Sequence, residues 1–372
     1  MLPQRVLQLI RNNGPLSRAE LARQTGLSKP TISSIVQNLL AARLINERGF
    51  AESGGGRPAV LIEFNTRAGF VVGIDVGGTS SRVALADLQG KVLAVRREQT
   101  DKTNDVALIN QLKRLQKLIC EVAKVEQKDL VHVGIGTPGV VEPRTRSIAY
   151  APNIPILETP DFTRRLEDGL GVPVSLYNDV NLAALGEQAQ GAGRDVNSFV
   201  FIGIGTGLGF GLVLNGKLFE GFKGRAGEFG YLPSPLHGGV TLEDTLCSAA
   251  LASSHQALGG SGAPQAAFAE AEAGSEPGLS VIRTFTERLV WLFTALSTLL
   301  DPEKLILGGG VGRRFAPFIP ELRSSLGRTS PIVPELAISQ LGDDAGLLGA
   351  VAVALQASEP LTEQIGGKAM TL

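Results

Sequence analysis

Short apolar runs that end in glycine carry most of the chemistry legible in this 372-residue chain. Val71-Val72-Gly73-Ile74-Asp75 runs into Val76-Gly77-Gly78-Thr79, and about 125 residues later Phe199 to Ile204 runs into Gly205-Thr206-Gly207-Leu208-Gly209. A third turn, Gly308-Gly309-Gly310, follows Lys304-Leu305-Ile306-Leu307. Backbone N–H groups bared by glycine can cradle an anion, and threonine adds a hydroxyl donor. One such turn is often only a tight corner; two at equivalent places, with a third behind them, point to an oxyanion. Asp75 closes the first run. Asp179 stands in Tyr177-Asn178-Asp179-Val180-Asn181, just past the apolar Val172 to Leu176. Strand ends are where α/β proteins place chemistry, yet the helical Leu182 to Glu187 that follows would equally let Asp179 serve as an N-cap. A Rossmann coenzyme site is excluded, because no Gly-x-Gly-x-x-Gly opens a helix with an acid ~20 residues later.

The elements that must hold these residues repeat. Arg82 to Ala86 and the turn Asp87-Leu88-Gln89-Gly90 follow the first glycine turn; Phe210 to Leu214 and Asn215-Gly216 follow the second. Strand, glycine turn, strand and hairpin thus occur twice, an internal repeat. Two such halves predict a two-lobed α/β body with a ligand cleft between the lobes. The expected lobes are residues 70–185 and 186–343, with a helix over 344–357 packing back on the first and a tail over 358–372.

Residues 1–66 read differently. Val6, Leu7, Leu9 and Ile10 form one helical stripe. Ser17-Arg18-Ala19-Glu20 is a capping box opening a second helix that ends at Gly26. Ser28 caps a third, with Pro30 in its first turn and Ile32, Ile35, Val36, Leu39 and Leu40 at helical spacing. Two helices across a glycine turn make a helix-turn-helix unit. The third helix turns Ser34 and Gln37 away from its core side, with Thr31 and Ser33 flanking and Ser28 and Lys29 at its start. Small hydroxyl and amide side chains suit a helix that enters a major groove; a solvated face is the plainer reading. Leu44-Ile45 and Ala59 to Ile62 predict a hairpin around Gly54-Gly55-Gly56-Arg57-Pro58, a wing whose Arg57 could enter a minor groove. The order of these elements favours a winged helix.

Charge agrees. Residues 1–70 hold nine Lys/Arg and four Asp/Glu, +5, within a chain of net charge −1. A basic head on an acidic body suits a polyanionic partner. The sequence shows neither a signal peptide nor the ~18-residue apolar run needed to cross a bilayer, so a soluble, cytoplasmic protein without membrane contact is expected. Cys120 and Cys247 are too few for a disulfide framework.

From about Gly73 to Leu355 the body resembles the ROK family of repressors and sugar kinases, within the actin/hexokinase-like ATPase fold (ribonuclease H-like, duplicated). The likeness rests on Asp75-Val76-Gly77-Gly78-Thr79, Thr137-Pro138-Gly139, Ala151-Pro152-Asn153 and Asn178-Asp179-Val180-Asn181. Gly205 to Gly209, Ala226-Gly227-Glu228-Phe229-Gly230, Leu307 to Val311 and Asp344 to Ala350 complete it. With the head in front, the chain looks like a ROK-type regulator of the xylose, N-acetylglucosamine or glucose kind. The resemblance implies that Asn153, Asn178, Asp179, Glu228 and Glu243 bind a sugar or sugar phosphate. It places nucleotide phosphates at Asp75, Gly77, Gly78, Thr79, Gly205, Thr206, Gly207, Gly309 and Gly310. DNA binding would need no cofactor; kinase activity would need ATP and Mg²⁺, with Asp179 as base. Operator DNA is the expected partner, bound by a homodimer or homotetramer. The family's histidine and cysteine-rich zinc loop are missing between Gly230 and Leu242: Tyr231 stands for the histidine. His237 and Cys247 cannot supply four ligands, so no structural zinc is expected.

Overall fold

The computed structural model describes residues 2–51, 58–235 and 238–368; Arg57 and His237 lie outside them. The head holds helices α1 (Leu2–Asn13), α2 (Arg18–Thr25) and α3 (Lys29–Ala41). Val6, Leu7 and Ile10 of α1, Leu21 of α2, and Ile32, Ile35, Val36 and Leu39 of α3 converge on one core. In the capping box, Ser17 Oγ accepts from the Glu20 N–H and the Glu20 carboxylate accepts from the Ser17 N–H. Gly26 ends α2 at φ 74°, a left-handed conformation that glycine adopts without penalty. Ser28 Oγ accepts from the Thr31 N–H to start α3. Strands β1 (Leu16–Ser17), β2 (Ile45–Phe50) and β3 (Val60–Phe64) form a sheet in the order β1-β3-β2. The hairpin strands are thus shifted and longer than expected. β1 adds a third strand, too short for its two residues to show a period.

The body holds two five-stranded sheets. The first uses β4 (Phe70–Val76), β5 (Ser80–Asp87), β6 (Val92–Gln99) and β7 (Leu130–Thr137); after the small hairpin β8 (Val140–Val141) and β9 (Ile148–Ala149), β10 (Val174–Asn178) completes it. The second uses β11 (Phe199–Ile204), β12 (Leu208–Leu214), β13 (Lys217–Leu218), β14 (Lys304–Gly308) and β15 (Glu335–Ile338). Their orders, β10-β7-β4-β5-β6 and β15-β14-β11-β12-β13, match place for place. In each, three parallel strands are followed by two antiparallel ones. The repeat read from the glycine turns is therefore a repeat of whole sheets.

Around the sheets lie α4 (Asp105–Ala123), α5 (Phe162–Leu170), α6 (Asp179–Gln190), α7 (Leu242–Thr245), α8 (Ser248–Ala257) and α9 (Pro264–Glu272). They are followed by α10 (Glu276–Leu300), α11 (Gly309–Gly312), α12 (Ile319–Thr329) and α13 (Ala345–Lys368). The division expected at 185/186 falls inside α6, and the segment expected as a tail from 358 is helical through Lys368. α13 packs on α6, β4 and β7. Glycines set the spacing: a Cβ on Gly349 would lie 1.8 Å from the Leu182 carbonyl, and one on Gly134 would lie 2.0 Å from the Ala350 carbonyl. Side chains there would part the two backbones.

The head is fastened to the first lobe. The Leu88 N–H donates to the Thr66 carbonyl, and Arg11 donates to the Leu88 carbonyl at 2.9 Å while covering the Phe64 ring. Phe64 and Ala68 pack on the apolar cluster of Leu88, Leu347, Val351 and Ala354, which Leu355 also joins.

Candidate functional site

β4, β7 and β10 run parallel, and so do β11, β14 and β15. The carboxyl ends of both trios open onto one cleft of about 400 Å³, the place where α/β sheets hold ligands. Asn153, Asn178, Asp179, Glu228 and Glu243 all line it. So do Asp75, Gly205, Thr206, Gly207 and Gly309, whereas Gly77, Gly78, Thr79 and Gly310 are outside its lining. Gly78 stays near: a Cβ there would meet Asn153 Cβ at 3.4 Å.

The cap of α6 is Asn178, not Asp179. Asn178 Oδ1 accepts from the Val180 and Asn181 N–H groups at 2.9 and 3.1 Å, and its amide donates to the Gly139 carbonyl at 3.0 Å. Asn178 has the extended backbone of a cap, φ −63° and ψ 143°, which places Asp179 at the first helical position. Asp179 Oδ1 accepts from the Val180 N–H at 2.8 Å. Burial pushes its carboxyl up to about 7, and the like charges of Asp75 and Glu228 push the same way. Burial also raises Glu228, followed by Glu243, while Arg225 draws it back.

Arg82, which the sequence reading passed over, pairs with Asp75. Its Nη2 and Nε donate to Asp75 Oδ2 at 2.7 and 3.2 Å, and its Nη1 donates to Asp344 Oδ1 at 3.0 Å. It also donates to the Asp343 carbonyl, while Arg313 of the second lobe pairs with the Asp343 carboxylate. One arginine from each lobe thus grips the turn that leads into α13. The signal was present: Asp75 and Arg82 lie directly opposite across the β4–β5 hairpin.

Two of the expected anion-binding N–H groups are already engaged. The Gly77 N–H donates to the Ser80 carbonyl, and the Gly205 N–H to the Gly207 carbonyl. Glu243 Oε2 accepts the Leu208 N–H at 2.8 Å and sits 2.7 Å from where a Gly207 Cβ would stand. Glu243 therefore shapes the glycine turn it faces. With the Asp75 charge matched by Arg82, this donor set does not fit a resident Mg²⁺.

Two tyrosines complete the mouth. Tyr150 and Tyr231 both line the cleft and both are more than half exposed. Burial raises the Tyr231 hydroxyl, and Glu228, Glu243 and Tyr150 add to it. The Arg225 guanidinium lies 5.0 Å from the Tyr150 ring, and Arg144 lies 5.0 Å from Phe222, so the loop before Glu228 leans on the first lobe. Tyr150, whose φ is 57°, carried no sequence signal.

Ser28, the cap of α3, is exposed, as are Lys29, Ser34 and Gln37 on the helix, and Thr31 and Ser33 are half-buried. They lie opposite the stripe that builds the head's core.

The ROK family model matches residues 71–357. The chain belongs to the ROK family. A MarR family model matches residues 5–57, the head of this ROK protein. The putative xylose repressor of Caldicellulosiruptor sp. (strain Rt8B.4) is 27% identical, with 94% of each chain covered. The glucokinase of Halalkalibacterium halodurans is 32% identical and covers 75% of this chain and 92% of its own. A solved ROK family transcriptional regulator, described as a homolog of the E. coli MLC protein, matches with TM-score 0.80 at 24% identity over 98% of both chains. The glucokinase thus corresponds to three quarters of this chain, and these two regulator-type proteins to nearly all of it. This is a winged-helix regulator of the ROK family. Among its described residues no helix is long and apolar enough to cross a membrane.

Proposed function

We propose that this ROK protein is a repressor of carbohydrate genes that binds operator DNA as a homodimer or homotetramer and is controlled by a sugar in the interlobe cleft. The reading rests on one observation: a single helix, α13, touches both ends of the system. Its first residues, Ala345 and Gly346, line the cleft beside Asp75 and Asp179, and Leu355 packs into the cluster that carries Phe64 of the head. Nine residues of helix span about 14 Å at 1.5 Å each. Hydroxyls of a bound sugar would donate to Asp179, Glu228 and Glu243 and favour one lobe closure. A coupling of about 1–3 kcal/mol then changes operator occupancy 5- to 150-fold. Ser28, Lys29, Thr31, Ser33, Ser34 and Gln37 are proposed to meet the operator, and Arg57 to extend the contact from the wing.

The test is a gel shift on the protein's own promoter region with a sugar panel preselected by thermal shift. A retarded band is expected that one sugar shifts, and that deletion of residues 1–66 abolishes. No sugar binding, or occupancy unaffected by that deletion, would overturn the reading.

One observation favours a second reading. A carboxyl held near 7 is well matched to general-base work at neutral pH, as a sugar kinase needs of Asp179. The Arg82–Asp75 pair argues against it. A coupled ATP assay over hexoses and pentoses is expected to show no turnover that Asp179→Asn removes.

A further inference from the structure

We propose, on the reading of the cleft as a sugar site, that its effector is a neutral glycoside of two or more rings. The inner ring lies among the carboxylates, and the second lies against Tyr150 and Tyr231 at the mouth. Tyr150 follows β9 in the first lobe and Tyr231 belongs to the second, so each lobe brings one tyrosine to the cleft. They are 53% and 62% exposed, which leaves ring surface open to a ligand. Leu232, next to Tyr231, adds to the exposed apolar surface on that side. Single exposed apolar side chains are ordinary, but a group of them at the rim of a polar site marks a binding groove.

Both rings are held in place. The Arg225 guanidinium lies 5.0 Å from the centre of the Tyr150 ring. The loop that carries Arg225 is seated on β8 so closely that a Cβ on Gly224 would lie 2.1 Å from the Val141 carbonyl. Tyr231 ends a single helical turn, Phe229–Tyr231, and Phe229 packs edge-on against Phe210 of β12 with ring centres 5.2 Å apart. A platform ordered in advance gives up little side-chain entropy when a ligand lands on it.

A sugar ring is polar around its edge and apolar on its C–H faces, so it is recognised by hydroxyl acceptors and a flat apolar wall together. Tyrosine is such a wall, an apolar ring with a polar tip. A monosaccharide takes the place of roughly six waters, about 180 Å³ at ~30 Å³ each. A cleft of about 400 Å³ has room for a second ring. Charge selects a neutral one. Burial raises the Tyr231 hydroxyl, and Glu228 and Glu243, close by, raise it further. A phosphate at this end of the cleft would meet both carboxylates with only Arg225 to offset them, whereas ring hydroxyls accept from the exposed Arg225 and donate to the acids. A second ring that touches both tyrosines also bridges the lobes, and so favours the closure that control by a sugar requires.

The test is calorimetry on the full chain. The panel is glucose, xylose and N-acetylglucosamine, their methyl glycosides, glucose 6-phosphate, and the disaccharides cellobiose, maltose, xylobiose and chitobiose. One disaccharide is expected to bind at least tenfold tighter than both its monosaccharide and its methyl glycoside. Tenfold corresponds to about 55 Å² of apolar surface hidden from water, well within what one tyrosine offers. Tyr231→Ala should bring that ratio to within about twofold of unity and Tyr231→Phe should keep it, with the melting temperature of both close to wild type. A monosaccharide or glucose 6-phosphate that binds as tightly as every disaccharide would overturn the inference and leave control by a sugar standing. So would a preference that Tyr231→Ala leaves intact. Binding by no member of the panel would overturn the functional reading and this inference with it.

Discussion

At the scale of single residues the cleft is a set of like charges held together by burial and by one arginine. Asp179 shows the consequence most directly. Its folded carboxyl titrates near 7, against 3.8 in an unfolded chain. Between those values the folded protein keeps a proton that the unfolded chain has released, so stability falls as pH rises through that window. The raised Glu228 adds a slope of the same sign. The wild-type melting temperature should therefore drop from pH 5 to pH 8, and Asp179→Asn should flatten the curve; an unchanged slope in the variant would show that the Asp179 charge carries no penalty. The same substitution should weaken sugar binding roughly 10- to 100-fold, as loss of a hydrogen bond to a charged group does, measurable by calorimetry. Arg82→Met would leave Asp75 unpaired at 16% side-chain exposure. It should cost up to about 3 kcal/mol in urea unfolding, because a half-buried charge without its partner keeps the desolvation penalty. The carboxylates were legible in the sequence by type and position. The Asp75–Arg82 pair was within reach by counting outward from the Gly77-Gly78-Thr79 turn. Tyr150 was not, because its place at the cleft depends on Arg225, distant in sequence, lying over its ring.

At the scale of elements, local signals carried far. The Ser17–Glu20 capping box, Gly26, Pro30 and the doubled strand–turn–strand all sit where nearest-neighbour physics puts them. What the sequence hid was set by distant packing. Seen alone, Asp179 to Gln190 is a short helix with no obligation to either lobe; in the fold it touches both sheets and α13, and its buried Glu187 accepts from Ala192, Ser339 and Leu341. That carboxylate ties the end of α6 to the strand exit that leads into α13. The glycines between α6 and α13 serve the same junction. Gly349→Ala should lower unfolding stability by about 1–3 kcal/mol, the range for overpacking, because its Cβ would strike the Leu182 carbonyl. Gly310→Ala, with no heavy atom within 4 Å of the new Cβ, is the control and should change little. Helix propensity alone favours alanine at both sites, so a loss in Gly310→Ala as large as that in Gly349→Ala would show that the close approach is not what sets the cost.

For the whole molecule, the question is how a cleft between two lobes informs a head attached to only one of them. α13 starts in the grip of Arg82 from the first lobe and, through Asp343, Arg313 from the second; it passes under β4 and β7 and reaches the Phe64–Leu88 cluster. Any lobe closure that moves the Gly342–Asp344 turn must move α13 or strain it, and the rigid glycine contacts favour movement. The Arg11–Leu88 bond and the Leu355 contact are then the last joints before the head. Arg11→Ala together with Leu355→Ala should leave the sugar dissociation constant unchanged and operator affinity within about threefold, while the sugar-dependent change in operator affinity falls towards unity from the 5- to 150-fold expected of a coupled pair. Linkage supplies an independent check, since the operator must alter sugar affinity by the same factor as sugar alters operator affinity. Titrating sugar into the protein with and without an operator duplex measures that factor directly. If the double variant keeps the full factor in both directions, the signal reaches the head by another route, and the packing of α13 is only structural.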